Sequence, residues 1–305
     1  MNAGMKALAS FALAAIFALT GCQAVKQGAA DIIASTGKVS REDAQSLVRT
    51  AEVVRSTFAE ITEEEEYYIG RATAALILSK YKPYRNEALN AYVNVMGTVL
   101  AYNSDRPETY GGYHFLVLDT DEVNAMAAPG GFVFVTKGLV RRCGDEETLA
   151  AILAHEIGHV AERHGLQSIK KSRLIDAFKV LGSEASRQFD SEELTKLTGI
   201  FEGVLGDVVE TLVERGYDRK FEYEADKLAL SFAVRTGYSP GGLADFLVGM
   251  EEHKPSGPAA GWFKTHPSPA DRLARVKTKT AALGAAPAKL DVRTARFAEA
   301  VKNLR

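Results

Sequence analysis

The sequence predicts an α+β fold that is predominantly helical and contains one small β-sheet. Apolar residues recur at helical spacing over most of the chain. Two short runs rich in β-branched and aromatic residues, His114–Leu118 and Phe132–Thr136, are typical of strands. The chain has 305 residues, of which 46% are hydrophobic, so it can bury a sizeable core in one large or two modest domains.

The composition argues against several classes of protein. There are 37 Lys and Arg residues against 39 Asp and Glu residues, a formal net charge of −2, so we expect no nucleic-acid partner. The proportions of hydrophobic and charged residues disfavour collagen-like, disordered and polytopic membrane proteins. The two cysteines are too few for a disulfide scaffold. We interpret Cys143 as a small buried apolar residue.

Residues 1–21 have the features of a lipoprotein signal peptide. The apolar run Ala7–Leu19 has the length of the hydrophobic region of a signal peptide and is too short to span a bilayer comfortably. It leads into Leu19-Thr20-Gly21-Cys22, which resembles the bacterial lipobox, where the cysteine is acylated and becomes the first mature residue. The alternative is an ordinary secretory signal that happens to contain a cysteine.

Acylation of Cys22 would anchor the chain to a membrane, because several acyl chains hold stably where a single chain is marginal. Gln23 follows the cysteine, and not the Asp that retains lipoproteins at the inner membrane. We therefore expect a location in the bacterial cell envelope, at the outer membrane and facing the periplasm. Residues 22–45 are predicted to be a tether, residues 46–280 a single domain, and residues 281–305 a short tail.

The elements of that domain follow in order. Ser46–Ile77 has helical spacing, and its acidic run Glu63–Glu66 is either a solvated face or the negative first turn of a helix that enters at Thr62. Asn86–Tyr102 is predicted to be an amphipathic helix. Pro129-Gly130-Gly131 is a turn between the strand signals, and from residue 145 onward the chain is mostly helical.

The strongest chemical signal lies in a helix that is predicted to begin after its N-cap Asp145 and to end before Gly165, its C′ residue. It contains His155-Glu156-Ile157-Gly158-His159. Spacing of i,i+4 places both imidazoles on one face, where they can reach the same metal ion. Zn²⁺ suits imidazole ligands and leaves a position for water. We predict one Zn²⁺ per chain, held by His155 and His159, with Glu156 taking the proton from that water.

A third ligand from the same helix is disfavoured. A third histidine would have to stand at position 165, which is a glycine, and His164 lies one residue out of register. His164 is interpreted instead as a cation that stabilises the C-terminus of the helix.

The predicted helix Lys220–Arg235 is another possible source of the third metal ligand. Glu222 and Asp226 share one face at i,i+4, so Glu222 can bind the metal while Asp226 accepts a hydrogen bond from a ligand histidine. Glu214 and Asp218 have the same spacing and are a rival pair, although Gly216 between them weakens the helix.

Five separated motifs resemble those of the M48 zinc metallopeptidases. They occur in the family's order: Asn124–Gly131, Thr136–Leu139, His155–His159, Glu222–Asp226, and His266-Pro267 with Arg272. The resemblance covers roughly residues 60–280. It implies a zincin-like fold of the gluzincin type, in which the third zinc ligand is the glutamate that maps to Glu222.

The resemblance also implies that the strand Phe132–Thr136 lies at a sheet edge beside the active-site cleft. There it would pair with an extended substrate through backbone hydrogen bonds. The residues expected to contact substrate are Asn124, Gly130, Gly131, Phe132, Val133 and Phe134. Leu166–Val213, between the ligand helices, is either a lid over the cleft or part of the scaffold.

His266 and Arg272 are assigned to the catalytic site. His266 lies in a loop stiffened by two prolines, and a helix is predicted to begin near Pro269 or Ala270. His266 either donates a hydrogen bond to the oxyanion or occupies the fourth zinc position at rest and keeps the enzyme latent. Arg272 is expected to support this loop or to act as a donor itself.

These features predict a zinc endopeptidase that hydrolyses peptide bonds in unfolded or misassembled cell-envelope proteins. The alternative is an envelope chaperone or assembly factor that binds such chains with the same strand and rarely cleaves them. The complete His-Glu-x-x-His motif, with Glu156 in place, favours the enzyme.

Overall fold

The computed structural model describes residues 61–168, 199, 202–252, 261–266, 269–283 and 291–304. They belong to one compact unit made of Ile61–Arg173 and Thr198–Arg305. The predictions for the signal peptide, for Cys22 and for the tether lie outside the described residues, as does most of Leu166–Val213.

Two helices open the described part of the chain. Helix α1 (Glu63–Lys80) begins with a capping box, in which the Thr62 hydroxyl accepts from the Glu65 backbone N–H at 3.2 Å and the Glu65 carboxylate accepts from the Thr62 N–H at 2.8 Å. The acidic run is therefore the first turn of a helix, as one of the two interpretations predicted. Helix α2 (Glu87–Tyr102) begins after its N-cap Asn86, as predicted.

The sheet has three strands among the described residues, β1 (His114–Leu118), β2 (Ala125–Ala128) and β3 (Phe132–Thr136). Their order is β1-β3-β2, with β1 parallel and β2 antiparallel to β3. The α+β class and the bounds of β1 and β3 are confirmed.

The prediction that β3 lies at a sheet edge is wrong, because β2 covers one of its sides and β1 the other. Strand β2 has the sequence Ala-Met-Ala-Ala, whose small side chains carry a weak strand signal. Gly130 (φ 73°) and Gly131 (φ 98°) form the turn between β2 and β3, and these positive φ values favour glycine.

The central helix α4 (Glu146–Ala161) follows a short α3 (Lys137–Arg142) and is buried along most of its length. It begins at Asp145, whose carboxylate accepts from the Thr148 N–H at 2.9 Å. It ends before the predicted Gly165, because Arg163 adopts a left-handed conformation (φ 55°) and a short α5 (His164–Gln167) follows. Arg163 is held there by its ion pair with the buried Glu66, at 2.9 Å.

The remaining elements surround α4. A helix over residues 202–209 continues into a π-helical turn, Glu210–Arg215. The others are α6 (Arg219–Thr236), α7 (Gly241–Glu252), α8 (Trp262–Thr265), α9 (Pro269–Ala282) and α10 (Asp291–Val301). Within the described ranges, no helix has both the length and the hydropathy needed to cross a bilayer. Cys143 is buried as predicted, and burial raises the pKa of its thiol.

The C-terminal helix α10 is attached to the start of α4 by two ion pairs. Arg293 contacts Glu147 at 2.7 Å, and Arg296 pairs with Glu146, which is 1% exposed. Burial alone would raise the pKa of Glu146, but hydrogen bonds from Arg296, Tyr92 and Tyr238 outweigh it and lower the pKa. The tail is thus packed against the helix that carries the histidine motif.

Replacing Arg296 by Ala should destabilise the protein at pH 7 by about 2 kcal/mol, because Glu146 loses a charged hydrogen-bond partner. A carboxyl group whose pKa is lower in the folded than in the unfolded protein stabilises the fold at pH values above its ordinary pKa, which is 4.5 for Glu146. This contribution to stability disappears as the pH falls through the lower pKa of the folded state. The difference in Tm between wild type and variant should therefore shrink toward pH 3, as measured by circular dichroism. Lys302→Ala, which breaks an exposed pair with Glu299, is the control and should leave Tm unchanged.

Candidate metal centre

Helices α4 and α6 bring three predicted ligands together. The Nε2 atoms of His155 and His159 lie 3.1 Å apart. Glu222 faces both of them, with Oε2 at 3.6 Å from His155 Nε2 and Oε1 at 3.4 Å from His159 Nε2. All three side chains are fully buried.

These distances fit a tetrahedrally coordinated cation. Bonds of about 2.0–2.1 Å in a tetrahedral site separate neighbouring ligand atoms by roughly 3.3 Å, which is close to the observed separations. The donor set of two imidazoles and one carboxylate suits a transition metal such as zinc. These three side chains, the metal group, can therefore bind a metal ion.

Arg272 holds the α6 carboxylates Glu222 and Asp226 in place. Asp226 Oδ1 lies 3.0 Å from His155 Nδ1, the contact that the sequence predicted for Asp226. The buried Arg272 donates to both Asp226 oxygens, at 2.9 and 2.7 Å, and its Nη1 lies 2.8 Å from Glu222 Oε2. These contacts of Arg272 are with the α6 carboxylates, and the two roles expected for it, support of the His266 loop and direct donation, stay predictions.

Glu156 differs from these carboxylates. It is completely buried, and neither of its oxygens has a hydrogen-bond partner among the described residues. Burial raises the pKa of Glu156, which moves it toward the range where a carboxylate can accept a proton and return it. An unpartnered buried carboxylate is costly to the fold, so its retention points to chemistry.

His266 reaches the same centre. Its Nδ1 lies 3.1 Å from Glu222 Oε2, and its Nε2 lies 3.7 Å from Glu156 Oε1. The ring stacks on Trp262 with centroids 3.9 Å apart. One ligand atom from each of His155, His159, Glu222 and His266 falls within 4.8 Å of the others. Both predicted roles, hydrogen-bond donor and fourth ligand, are compatible with this position.

Electrostatics of the group follow from its burial. Burial lowers the pKa of His159 well below the ordinary value, which leaves that ring neutral. Burial and Arg272 also lower the pKa of His155, but Asp226 and Glu222 outweigh them and raise it to about 9. Glu222 stays ionised, because His266 and Arg272 overcome the effect of burial and hold its pKa well below the ordinary value. A cation in this group would require the unprotonated Nε2 atoms of both histidines.

A narrow cavity opens beside Glu156. Its lining includes Ala125 and Met126 of β2, Thr211 and Leu212 of the π-helical turn, and Glu156, Tyr217, Thr265 and His266. The part of Leu166–Val213 that the structure describes thus contributes to the wall of the cavity.

Most residues predicted to contact substrate have other partners. Phe132, Val133 and Phe134 belong to the central strand β3, and the Gly130 N–H donates to Glu66 at 3.1 Å. The Asn124 side chain accepts from the Ala125 N–H at 3.0 Å and so fixes the start of β2. The edge that borders the cavity is β2.

Two further residues were missed or misinterpreted. Tyr217 stacks on the His159 ring with centroids 4.2 Å apart and lines the cavity, although no spacing in the sequence marks it. The interpretation of His164 as a helix-terminal cation is wrong. His164 is fully buried, burial lowers its pKa, and its Nδ1 lies 2.9 Å from His159 Nδ1.

Comparison with known proteins agrees with this geometry. Residues 87–280 match the sequence profile of Peptidase family M48. The chain is 27% identical over 221 residues to the beta-barrel assembly-enhancing protease of Escherichia coli (strain K12), an alignment that covers 70% of this chain and 42% of that protein. The chain therefore spans about two fifths of the length of that relative.

Two shorter relatives come from the same organism. Metalloprotease YcaL is 31% identical over 175 residues, which cover 55% of this chain and 62% of that protein. Metalloprotease LoiP is 28% identical over 217 residues, which cover 70% of this chain and 76% of that protein.

The two candidate third ligands can be separated directly. Glu222→Ala should lower zinc affinity by more than about a hundredfold. Loss of a residue that only hydrogen-bonds a metal ligand costs roughly 10- to 100-fold in affinity, and loss of a ligand itself should cost more. Glu214→Ala should not change it, because Glu214 is exposed and pairs with Lys264 at 2.8 Å. Bound zinc is measured by elemental analysis after dialysis. The reverse ranking would mean that the site is assigned to the wrong glutamate.

Proposed function

The chain belongs to peptidase family M48, and we propose that it is a zinc endopeptidase that cleaves unfolded or misassembled proteins of the bacterial cell envelope. The observation that carries this proposal is Glu156, a buried carboxylate without a hydrogen-bond partner in the described structure, one residue from the first histidine of the metal group.

We assign the zinc ligands to His155, His159 and Glu222. A zinc ion held there would polarise the scissile carbonyl and make a water molecule more acidic. Asp226 keeps His155 in the tautomer that leaves Nε2 free, since it accepts from the other ring nitrogen. Arg272 fixes both α6 carboxylates.

Proton transfer falls to Glu156. Its raised pKa suits a group that takes a proton from the attacking water and returns it to the leaving amine. His266 Nε2, 3.7 Å from Glu156 Oε1, is placed to donate to an oxyanion on the substrate. The other assignment for His266, a fourth ligand that keeps the enzyme latent, rests on the 3.1 Å approach of its Nδ1 to Glu222.

Substrate recognition is proposed for the edge of β2. The Ala125 carbonyl lies 3.4 Å from His266 Nε2, and the Ala127 carbonyl lies 3.4 Å from the Tyr217 hydroxyl. Both contacts are long, and an extended peptide that paired with the outer edge of β2 would displace them from these carbonyls. Backbone pairing tolerates many sequences, which suits unfolded substrates.

The proposed substrates and location draw on the relatives and on the sequence. One relative is named beta-barrel assembly-enhancing protease, which supports envelope proteins as substrates. The lipobox-like Leu19-Thr20-Gly21-Cys22 supports a lipid anchor at the outer membrane, facing the periplasm.

Glu156→Gln should retain zinc and lose casein hydrolysis by about 10²- to 10⁴-fold, because a general base contributes that much. Zinc content and hydrolysis are measured on the same preparation. Near wild-type hydrolysis in the variant would refute the role of Glu156. Wild-type protein that binds unfolded casein but does not cleave it, with zinc present, would favour the chaperone alternative.

The two roles of His266 predict opposite results for His266→Ala. Loss of an oxyanion donor should lower kcat by about 10²- to 10³-fold with zinc retained. Loss of a fourth ligand should raise basal hydrolysis and weaken zinc binding. Unchanged hydrolysis and unchanged zinc affinity would exclude both roles.

Cys22→Ala should release the mature protein from the membrane fraction without changing its Tm, since the acyl chains hold it there. Fractionation of cells followed by immunoblotting measures this. A variant that still fractionates with outer membranes would contradict the lipid anchor.

A further inference from the structure

The second histidine of the motif, His159, contacts His164, and His164 in turn contacts Glu224. Neither His164 nor Glu224 has a part in the proposed mechanism. His159 Nδ1 lies 2.9 Å from His164 Nδ1, and His164 Nε2 lies 3.2 Å from Glu224 Oε2. The side chain of His164 is fully buried, whereas that of Glu224 is 56% exposed. A continuous line of contacts therefore runs from the metal group to the protein surface.

When a metal is bound to His159, only one assignment of hydrogens to the ring nitrogens allows both contacts of His164 to be hydrogen bonds. His159 Nε2 must be free of hydrogen to bind a cation, so the hydrogen of the neutral ring is on Nδ1. His159 Nδ1–H then donates to His164 Nδ1, which must be the unprotonated nitrogen. The hydrogen of His164 is left on Nε2, from which it donates to the Glu224 carboxylate.

We propose that His164 and Glu224 form a relay that fixes the tautomer and the orientation of His159, and that both are positioning residues for zinc. This inference rests on the proposed function. It assigns to His159 the support that Asp226 gives to His155 by direct contact at 3.0 Å.

The relay accounts for all three acids of Glu222-Tyr223-Glu224-Ala225-Asp226. Glu222 faces both histidines, Asp226 orients His155, and Glu224 orients His159 through His164. Residues two apart on a helix point to different sides, so Glu224 cannot reach the centre that Glu222 and Asp226 face. The distance between Glu224 and His159 is bridged by the imidazole of His164.

Packing around His164 also holds the ring in place. Its ring lies against Phe221, with centroids 4.3 Å apart, and the turn at Arg163 that precedes it is fixed by Glu66. His164 can therefore impose an orientation on His159 because its own freedom is limited.

The test compares variants that keep the acceptor with variants that remove it. His164→Asn keeps an oxygen near the position of Nδ1, whereas His164→Phe keeps the ring and removes the acceptor. We expect His164→Phe to weaken zinc binding by roughly 10- to 100-fold and His164→Asn to restore most of it. Zinc affinity is measured on the full-length protein in detergent by competition with a fluorescent chelator.

Position 224 supplies a second matched pair. Glu224→Gln and Glu224→Leu remove the same charge, but the glutamine still accepts from His164. We expect Glu224→Leu to weaken zinc binding by up to about tenfold, because water can partly replace an exposed acceptor, and Glu224→Gln to bind like wild type. In a His164→Phe background, Glu224→Leu should have no further effect.

The outcomes separate the relay from the proposed function. Unchanged affinity in His164→Phe, or additive losses in the double variant, would overturn the relay while leaving the zinc enzyme intact. A wild-type chain that binds no stoichiometric zinc would overturn the proposed function itself. If circular dichroism shows that His164→Phe does not fold, the two variants of the exposed Glu224 decide between the outcomes. Equal zinc affinities of Glu224→Leu and Glu224→Gln would then contradict the relay.

Discussion

The close approach of α4 and α6 is the constraint on which the rest of the structure depends. Gly158, between the two histidines, faces Ala225, between Glu222 and Asp226. A Cβ added at Gly158 would lie 3.2 Å from both the Cα and the carbonyl oxygen of Ala225. Small residues at the crossing let histidines and carboxylates meet at 3.0–3.6 Å. A larger residue at 158 would separate the helices and pull this set of contacts apart.

The site concentrates charge in a region that water does not reach. Glu222 and Asp226 are stabilised by Arg272, which is itself fully buried, so their charges are compensated by contact. Glu156 lies in the same surroundings without a hydrogen-bond partner among the described side chains, and His266 Nε2 approaches it only to 3.7 Å. The contrast supports the proposed division of roles, in which the hydrogen-bonded acids would hold a cation and its ligands and Glu156 would exchange a proton.

A second buried carboxylate links the sheet to this site. Glu66 of α1 accepts from the Gly130 N–H at 3.1 Å, from Arg106 at 3.0 Å and from Arg163 at 2.9 Å. It therefore joins the turn between β2 and β3 to the end of α4. The left-handed Arg163, which costs roughly 1–2 kcal/mol, is stabilised by this pairing and directs the chain toward His164. Through Glu66, helix α1 thus fixes the position of the β2–β3 turn relative to the end of α4.

The sequence by itself determined the fold class, the bounds of β1 and β3, and the histidine pair of α4. Those features depend on local periodicity and on spacing within a helix, which a sequence displays directly. Spacing alone left Glu214 as a rival to Glu222, and the motif resemblance, together with the contacts between α4 and α6, favoured Glu222. Only the tertiary structure decided that β2 is the edge strand, that His164 lies behind His159, and that Tyr217 lines the cavity. These depend on contacts between distant segments: strand order follows from pairing across the sheet, and the burial of His164 follows from packing against α6, which no local pattern records.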